Sequence, residues 1–521
     1  MSARFVDDAQ LIEEISKLSD GAVVATTGSG GGLLEPDEVL GAFEAAFLSG
    51  RSPTKLTLVH ALGLGNKKNS GTNHFAHEGM TRRVIGGHWT WSPAMLELAK
   101  ENKIEAYSLP SGVIVHLMRE IGAKRPGLIT KVGLGTFVDP IFDGGKCNES
   151  AQEDLVERIE IGTETYLRYL PFGVDAGIVR GTYADEFGNI YATEEAADLD
   201  IYNIALAARN SGGKVFAQVR EHRSNSDFHA RQVAIPGNLI DFVHVVPDQP
   251  QTYRGAYDLS LAGIDHMEAH PQSQLNKDIA RHIIANRAAL EMRKDAIVNF
   301  GFGVSADVAG VANAKFPKLN YWSTIEQGIH NGSLMEGDLF GIARNPMAIV
   351  SSSDQFDFYS GGGLDQTFLG MAEFDAQGNV NVSHIGSVTS GPGGFIDISQ
   401  GAKSVVFCGT LTAKGMCLDY QNGRVTVERE GLIKKAVNEV AGITFSGREA
   451  LARGQDVTYV TERAVFKLQQ DGLVLTEIAP GLDLQRDILQ QMDFTPAFAD
   501  LSTMPKSVFE DLHRPEIAAA C

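Results

Sequence analysis

Short apolar, β-branched runs alternate along this chain with stretches of helical period, and glycine clusters mark many of the joints. Leu11, Ile12, Ile15 and Leu18 lie on one helical face within residues 8–19. Residues 21–27 read as a buried strand, Gly28 to Gly32 as a glycine loop, and Glu35-Pro36-Asp37 opens a helix running to about Leu48. Further strands are predicted over 56–61, 104–109, 177–183, 214–219 and 240–246, with helices over 113–121 and 194–210. Residues 127–145 read as strand and loop, 151–165 as polar and acidic, and 247–270 as a crossover without periodicity.

The order then repeats. Ile279, Ile283, Ile284 and Leu290 mark a helix, 296–300 a strand, 301–303 a glycine turn and 307–314 a helix. Asp375-Ala-Gln-Gly-Asn379 echoes the turn Asp185-Glu-Phe-Gly-Asn189, and Lys403-Ser-Val-Val-Phe407 echoes the strand starting at Lys214. Three matches in one order predict two homologous halves, 1–270 and 271–521. Strand–helix alternation makes each half α/β, with mainly parallel sheets covered by helices on both faces. A length of 521 residues is too great for one core and agrees with two units.

Composition narrows the function classes. A net charge of −20 disfavours general nucleic-acid or anionic-membrane binding. No run approaches the ~18 apolar residues of a membrane span, and the first residues have no apolar signal core, so a cytoplasmic protein is expected. The four cysteines form no CxxC pair, so unpaired thiols in a reducing compartment are expected and no metal site. The basic pairs Lys67–Lys68 and Arg82–Arg83 are local exceptions in an acidic chain, with solvated faces as their ordinary reading.

The candidate chemistry centres on Tyr321 to Gly328. An apolar run there ends on Glu326 and turns glycine-rich, which reads as a strand presenting a carboxylate at its C-terminal end. A carboxylate so placed serves as nucleophile, base or metal ligand, although a glutamate in a loop is ordinarily solvated. Asp357 to Gly363 follows a predicted strand, and Ser390 to Gly394 precedes Phe395-Ile-Asp-Ile398. Glycines let backbone N–H groups approach a reacting group closely, as an oxyanion site requires, and ordinary surface turns share the same composition.

The segments Glu78 to His88, Glu105 to Pro110, Gly133 to Pro140, Glu326-Gln-Gly328, Phe340-Gly341, Gln355 to Asp365, Gly391 to Phe395 and Tyr459 to Phe466 resemble the family I CoA-transferases. These are enzymes of the acetate, propionate and 3-ketoacid type, and the resemblance runs from about Gly21 to Phe494. It implies that Glu326 is the catalytic nucleophile, forming first an acyl-glutamyl anhydride and then a glutamyl-CoA thioester. It implies ping-pong exchange of CoA between an acyl-CoA and a free carboxylate, as in short-chain fatty acid metabolism and ketone body catabolism. CoA is then a substrate, with no resident cofactor and no metal. It places oxyanion and CoA-binding positions at Gly393, Gly394, Gly303 and Val304, and an acyl pocket at Ser111, Gln327 and His330. Relatives associate, which implies a homo-oligomer (dimer or tetramer). Ser111 stands where the family commonly has Gln, and His330, Asn331 and Ser333 follow the glutamate where relatives have smaller residues. Both departures reshape the acyl pocket. An acyl-CoA hydrolase on the same scaffold, or a non-catalytic acyl-CoA-binding protein, are the alternatives.

Overall fold

The computed structural model describes residues 3–50, 52–268, 278–386 and 388–513. They divide into two units. The first holds residues 3–268 with 325–357 and 386–397, and the second holds 278–324, 358–385 and 398–513.

In the first unit the elements follow in the order β1 (Arg4–Val6), α1 (Asp8–Ile15), β2 (Val23–Thr26), α2 (Asp37–Leu48), β3 (Leu56–His60), β4 (Thr81–Gly86), α3 (Pro93–Lys100), β5 (Glu105–Ser108) and α4 (Ser111–Gly122). A small antiparallel sheet follows, β6 (Leu128–Thr130), β7 (Val156–Ile161) and β8 (Glu164–Tyr169). Then come β9 (Ala176–Ala184), β10 (Ile190–Tyr191), α5 (Ile201–Ser211), β11 (Lys214–His222) and β12 (Phe242–Val245). The main sheet runs β1-β12-β11-β9-β2-β3-β4-β5, every pair along it parallel. All residues of β3 and β9 are buried, as strands covered on both faces must be. Under one face the Phe43 ring meets Phe75 at a tilt and Phe216 edge-on among Val24, Leu58 and Val84, each burial of this size contributing about 1.5–3 kcal/mol.

In the second unit α6 (Ile279–Ala289), β13 (Ile297–Phe300) and α7 (Val304–Lys315) lead into β14 (Trp322–Ile325), whose last residue already belongs to the first unit. The sheet continues through 366–370, 404–408, 456–460, 464–469, 472–478 and 497–503. Its part 322–325, 297–300, 366–370, 404–408, 456–460 repeats the order β3-β2-β9-β11-β12, all parallel.

The repeat extends to single hydrogen bonds. Asp185 accepts from the N–H groups of Phe187 and Asn189, and Asn189 donates back to it. Asp375 does the same with Gln377 and Asn379. Asn189 then accepts from the N–H of Gly237, and Asn379 from that of Gly447. Asp175 accepts from the N–H of Val23 as Asp365 does from that of Ile297.

Some expectations need correction. The helix expected from residue 194 begins at Ile201, because Glu194 and Glu195 turn inward to Arg220 and Arg180 and Asp200 takes the Thr27 hydroxyl. Residues 352–360 are a helix rather than the end of a strand, since the Ser351 hydroxyl accepts from the N–H of Asp354 and starts it. The stretch after Pro247, read as a crossover without periodicity, is packed against the first unit: Gln249, Gln251 and Ser260 are buried, and Tyr253 donates to the Glu35 carboxylate. Its end, at residues 269–270, lies outside the described residues. Cys147 and Cys408 are free thiols, but Cys417 is disulfide-bonded, and Cys521 lies outside the described residues. Among the described residues no helix is long and apolar enough to cross a membrane.

One strut of the first unit is titratable. His74 bridges Asp37 and Glu44 of α2 at 3.2 and 2.6 Å, and His77 reaches Glu44 at 2.6 Å. Burial works against the imidazolium, but the two carboxylates win and hold His74 up at about 9. A group whose pKa is raised on folding stabilises fully below its unfolded value near 6.5 and loses that contribution as pH rises through 9. Replacing His74 with Ala should cost about 2 kcal/mol at pH 7, seen as a lower denaturation midpoint. The gap from wild type should shrink above pH 9; a gap independent of pH would refute the charged strut.

Candidate active site

Glu326 is carried by a tight turn. Ile325 ends β14 with its side chain buried, and its carbonyl accepts from the N–H of Gly328 at 2.9 Å, leaving Glu326 and Gln327 at the corner. Gly328 has φ 94°, and a Cβ there would lie 1.9 Å from the Val350 carbonyl oxygen, so only glycine closes the turn. The N–H of Val350 donates to the Gly328 carbonyl at 2.8 Å and clamps the turn from outside. The chain then runs into β15 (Ile329–His330), paired antiparallel with residues 348–349.

The second glycine segment is tied to the C-terminal ends of β4 and β5. Trp89 N–H donates to Ser390 O, Gly393 N–H to Gly87 O, and Ser111 N–H to Gly393 O, at 2.9, 2.8 and 2.9 Å. Gly391 sits so close that a Cβ would meet Gly87 O at 2.4 Å. These ties aim the N–H of Gly394 at the Glu326 carboxylate, where it donates a hydrogen bond beside the Gln327 amide. Burial nonetheless dominates and pushes the Glu326 carboxyl up to about 7. Asp397, three residues beyond Gly394, is 1% exposed. It accepts a hydrogen bond from the N–H of Gly112 at 3.2 Å. Burial and the neighbouring Glu326 charge push it up to about 8.

The remaining predicted positions fall as follows. Ser111 begins α4, fully buried, and its hydroxyl donates to Ala61 O at 2.6 Å. Gln327 is buried, its amide nitrogen 3.4 Å from the Ser29 hydroxyl and its carbonyl oxygen unpartnered. His330 is half-buried and kept below the usual imidazole range by burial, against an interaction with the Gln355 amide. Gly393 spends its N–H on Gly87, and its α carbon, at φ 54°, faces open space. Gly303 and Val304 belong to the second unit, where Gly303, at φ 87°, precedes the first residue of α7. The loop Gly30–Gly32 is packed against protein: added Cβ atoms would meet Trp91, Asp338 O and Tyr253 N at 2.4, 2.0 and 2.9 Å. It is therefore a close-packed turn beside Gln327. Arg82 and Arg83 pair with Glu105, and Arg83 also with Glu153. Lys67 lies 4.4 Å from the centre of the Trp91 ring.

Sequence reasoning did not single out Asp397 or Gly112. A signal existed in Phe395-Ile-Asp-Ile398, one carboxylate inside an apolar run.

A carboxylate in a glycine-locked turn at the sheet's carboxyl end, held by a backbone N–H, suits nucleophilic acyl chemistry. The family model for coenzyme A transferase matches residues 9–245. The acetate CoA-transferase YdiF of Escherichia coli K12 is 40% identical over 96% of this chain and 94% of its own. The chain belongs to the family I CoA-transferases. It is an enzyme that transfers CoA. The caffeate CoA-transferase of Acetobacterium woodii is also 40% identical, over 96% of this chain and 97% of its own. The crystal structure of the YdiF apoenzyme from Escherichia coli O157:H7 superposes with a TM-score of 0.92 at 38% identity, covering 99% of this CoA-transferase and 98% of that chain. A second YdiF structure, described as a thioester complex with CoA, gives 0.91 at 38% identity over 98% and 96%.

Proposed function

We propose that this CoA-transferase exchanges CoA between an acyl-CoA and a free carboxylic acid through Glu326. The Glu326 carboxylate attacks the thioester carbonyl, the C–S bond breaks, and an acyl-glutamyl anhydride forms with CoA leaving as thiolate. The thiolate attacks the glutamyl carbonyl, releasing the first acid as carboxylate and leaving a glutamyl-CoA thioester. The second acid repeats the steps in reverse, so charge balances without a proton source. The observation that carries this reading is the Gly394 N–H on the Glu326 carboxylate in a site dry enough to raise its pKa. Dryness keeps water from the two activated glutamyl species. Support for the thioester comes from the YdiF complex with CoA.

CoA acts as substrate and no resident cofactor takes part. The acyl group lies toward Ser111, Gln327 and His330, and Gly393, Gly394, Gly303 and Val304 serve CoA and the developing oxyanions. The relatives are named for acetate and for caffeate, so the size of the acid is left open. The enzyme acts in the cytoplasm as a homo-oligomer on soluble substrates. Incubation with acyl-CoA, followed by borohydride or direct peptide mass spectrometry, should place an adduct on Glu326. An adduct elsewhere, or turnover to free CoA with no acceptor acid present, would overturn the transfer mechanism.

A further inference from the structure

The turn that presents the Gly394 N–H is gripped through its carbonyls. Ser390 O accepts from the N–H of Trp89, Pro392 O from that of Phe395 and Gly393 O from that of Ser111, at 2.9, 3.0 and 2.9 Å. Those three donors belong to the backbone. Gly391 O meets a side chain instead, the Nδ1 of His88 at 3.4 Å. The Gly391–Pro392 peptide has no N–H, because the proline nitrogen is substituted, so its carbonyl is the only polar handle on that peptide plane. Packing secures one side of the plane alone. A Cβ on Gly391 would meet Gly87 O at 2.4 Å, whereas nothing lies within 4 Å of a Cβ on Gly393. The imidazole is set for its bond. A carbonyl only accepts, so Nδ1 bears the hydrogen, and the bare Nε2 accepts from the Thr90 hydroxyl at 2.6 Å. The ring is packed against Gly63, where a Cβ would lie 3.1 Å from it. Burial and the Lys67 charge keep His88 below the usual imidazole range, as the neutral tautomer requires.

Building on Glu326 as the nucleophile, we propose that His88 is a positioning residue for the transfer reaction. Its Nδ1–H fixes the Gly391–Pro392 peptide, and with it the direction in which the turn points the Gly394 N–H. Thr90 acts behind it by holding the tautomer. His88 works through the turn and not on the reacting atoms, so its loss slows the covalent steps and leaves substrate binding nearly as it was.

The test is steady-state kinetics on four variants. His88→Ala should lower kcat about tenfold, less than the roughly 10²–10³ lost with an oxyanion donor outright, and should leave KM for acyl-CoA within about twofold. His88→Asn, whose side-chain N–H takes the place of Nδ1–H, should stay within about threefold of wild-type kcat. Thr90→Val should cost about threefold alone and nothing further when added to His88→Ala, because both act through one bond. Asn falling as far as Ala, losses that multiply in the double variant, or a raised KM with unchanged kcat would each overturn the proposal. Should His88→Ala fail to fold, His88→Asn and Thr90→Val decide: a Thr90→Val enzyme with wild-type kcat, or a His88→Asn enzyme about tenfold down, overturns it. Formation of the Glu326 adduct is followed in a single turnover of the same enzymes. No adduct in wild type refutes the nucleophile; an adduct forming in His88→Ala at the wild-type rate refutes the positioning role alone.

Discussion

Glu326→Ala should abolish transfer, lowering kcat/KM by at least about 10⁴-fold, or roughly 5.5 kcal/mol of transition-state stabilisation. The size follows from the chemistry: the carboxylate is the atom group that makes the bond, and no neighbour replaces it. Asp397 is buried and accepts a hydrogen bond from the Gly112 N–H at 3.2 Å. Acyl-CoA binding should change less than about threefold, because most binding energy comes from the remote CoA tail. The same substitution should alter stability in the opposite sense. Glu326 has a folded pKa of about 7, above its ordinary 4.5. Its contribution to stability is therefore fully present below 4.5 and lost as pH rises through 7. The denaturation midpoint of wild type should fall between pH 5 and 8 more steeply than that of Glu326→Ala. Wild-type activity in Glu326→Ala would sink the mechanism, and an equal pH slope would sink the assigned desolvation.

The strand that ends beside Glu326 was legible because an apolar run closing on a carboxylate before glycine is a local pattern, whereas those eight residues alone read equally as a solvated loop and the catalytic role was implied by the resemblance. The repeat was legible for the same reason: Asp185-to-Asn189 and Asp375-to-Asn379 encode their turn in side chains that bond to their own backbone. Asp397 escaped because its environment is non-local. The glycine that presses on it is 285 residues away in sequence. The helix at 352–360 escaped because its start depends on one serine hydroxyl, against flanking residues that favour a strand. Position 28–32 shows the converse. Its glycine composition fits a ligand loop and a packed turn equally, and only the atoms opposite, Trp91 and Asp338 O, decide for packing.

Gly328→Ala should damage catalysis more than folding. At φ 94° an alanine costs about 1–2 kcal/mol, and its Cβ would start 1.9 Å from the Val350 oxygen, over an ångström inside any tolerable approach. Two responses relieve this. The residue flips out of the left-handed region, or the segment at Val350 retreats and the 2.8 Å bond to the Gly328 carbonyl breaks. Either one moves the corner bearing Glu326 by about 1 Å relative to the Gly394 N–H, which stays tied through Gly87 and Ser111. Misplacement on that scale costs about 10²-fold in kcat, while KM, set by remote contacts, should move little. The midpoint for thermal unfolding should drop by a few degrees. Gly173, with no heavy atom within 4 Å of an added Cβ, is the control, and its alanine variant should match wild type in both measurements. If Gly328→Ala kept its kcat, the turn would tolerate the shift, and the placement of the nucleophile would depend on Gly394 rather than on the strand that delivers it.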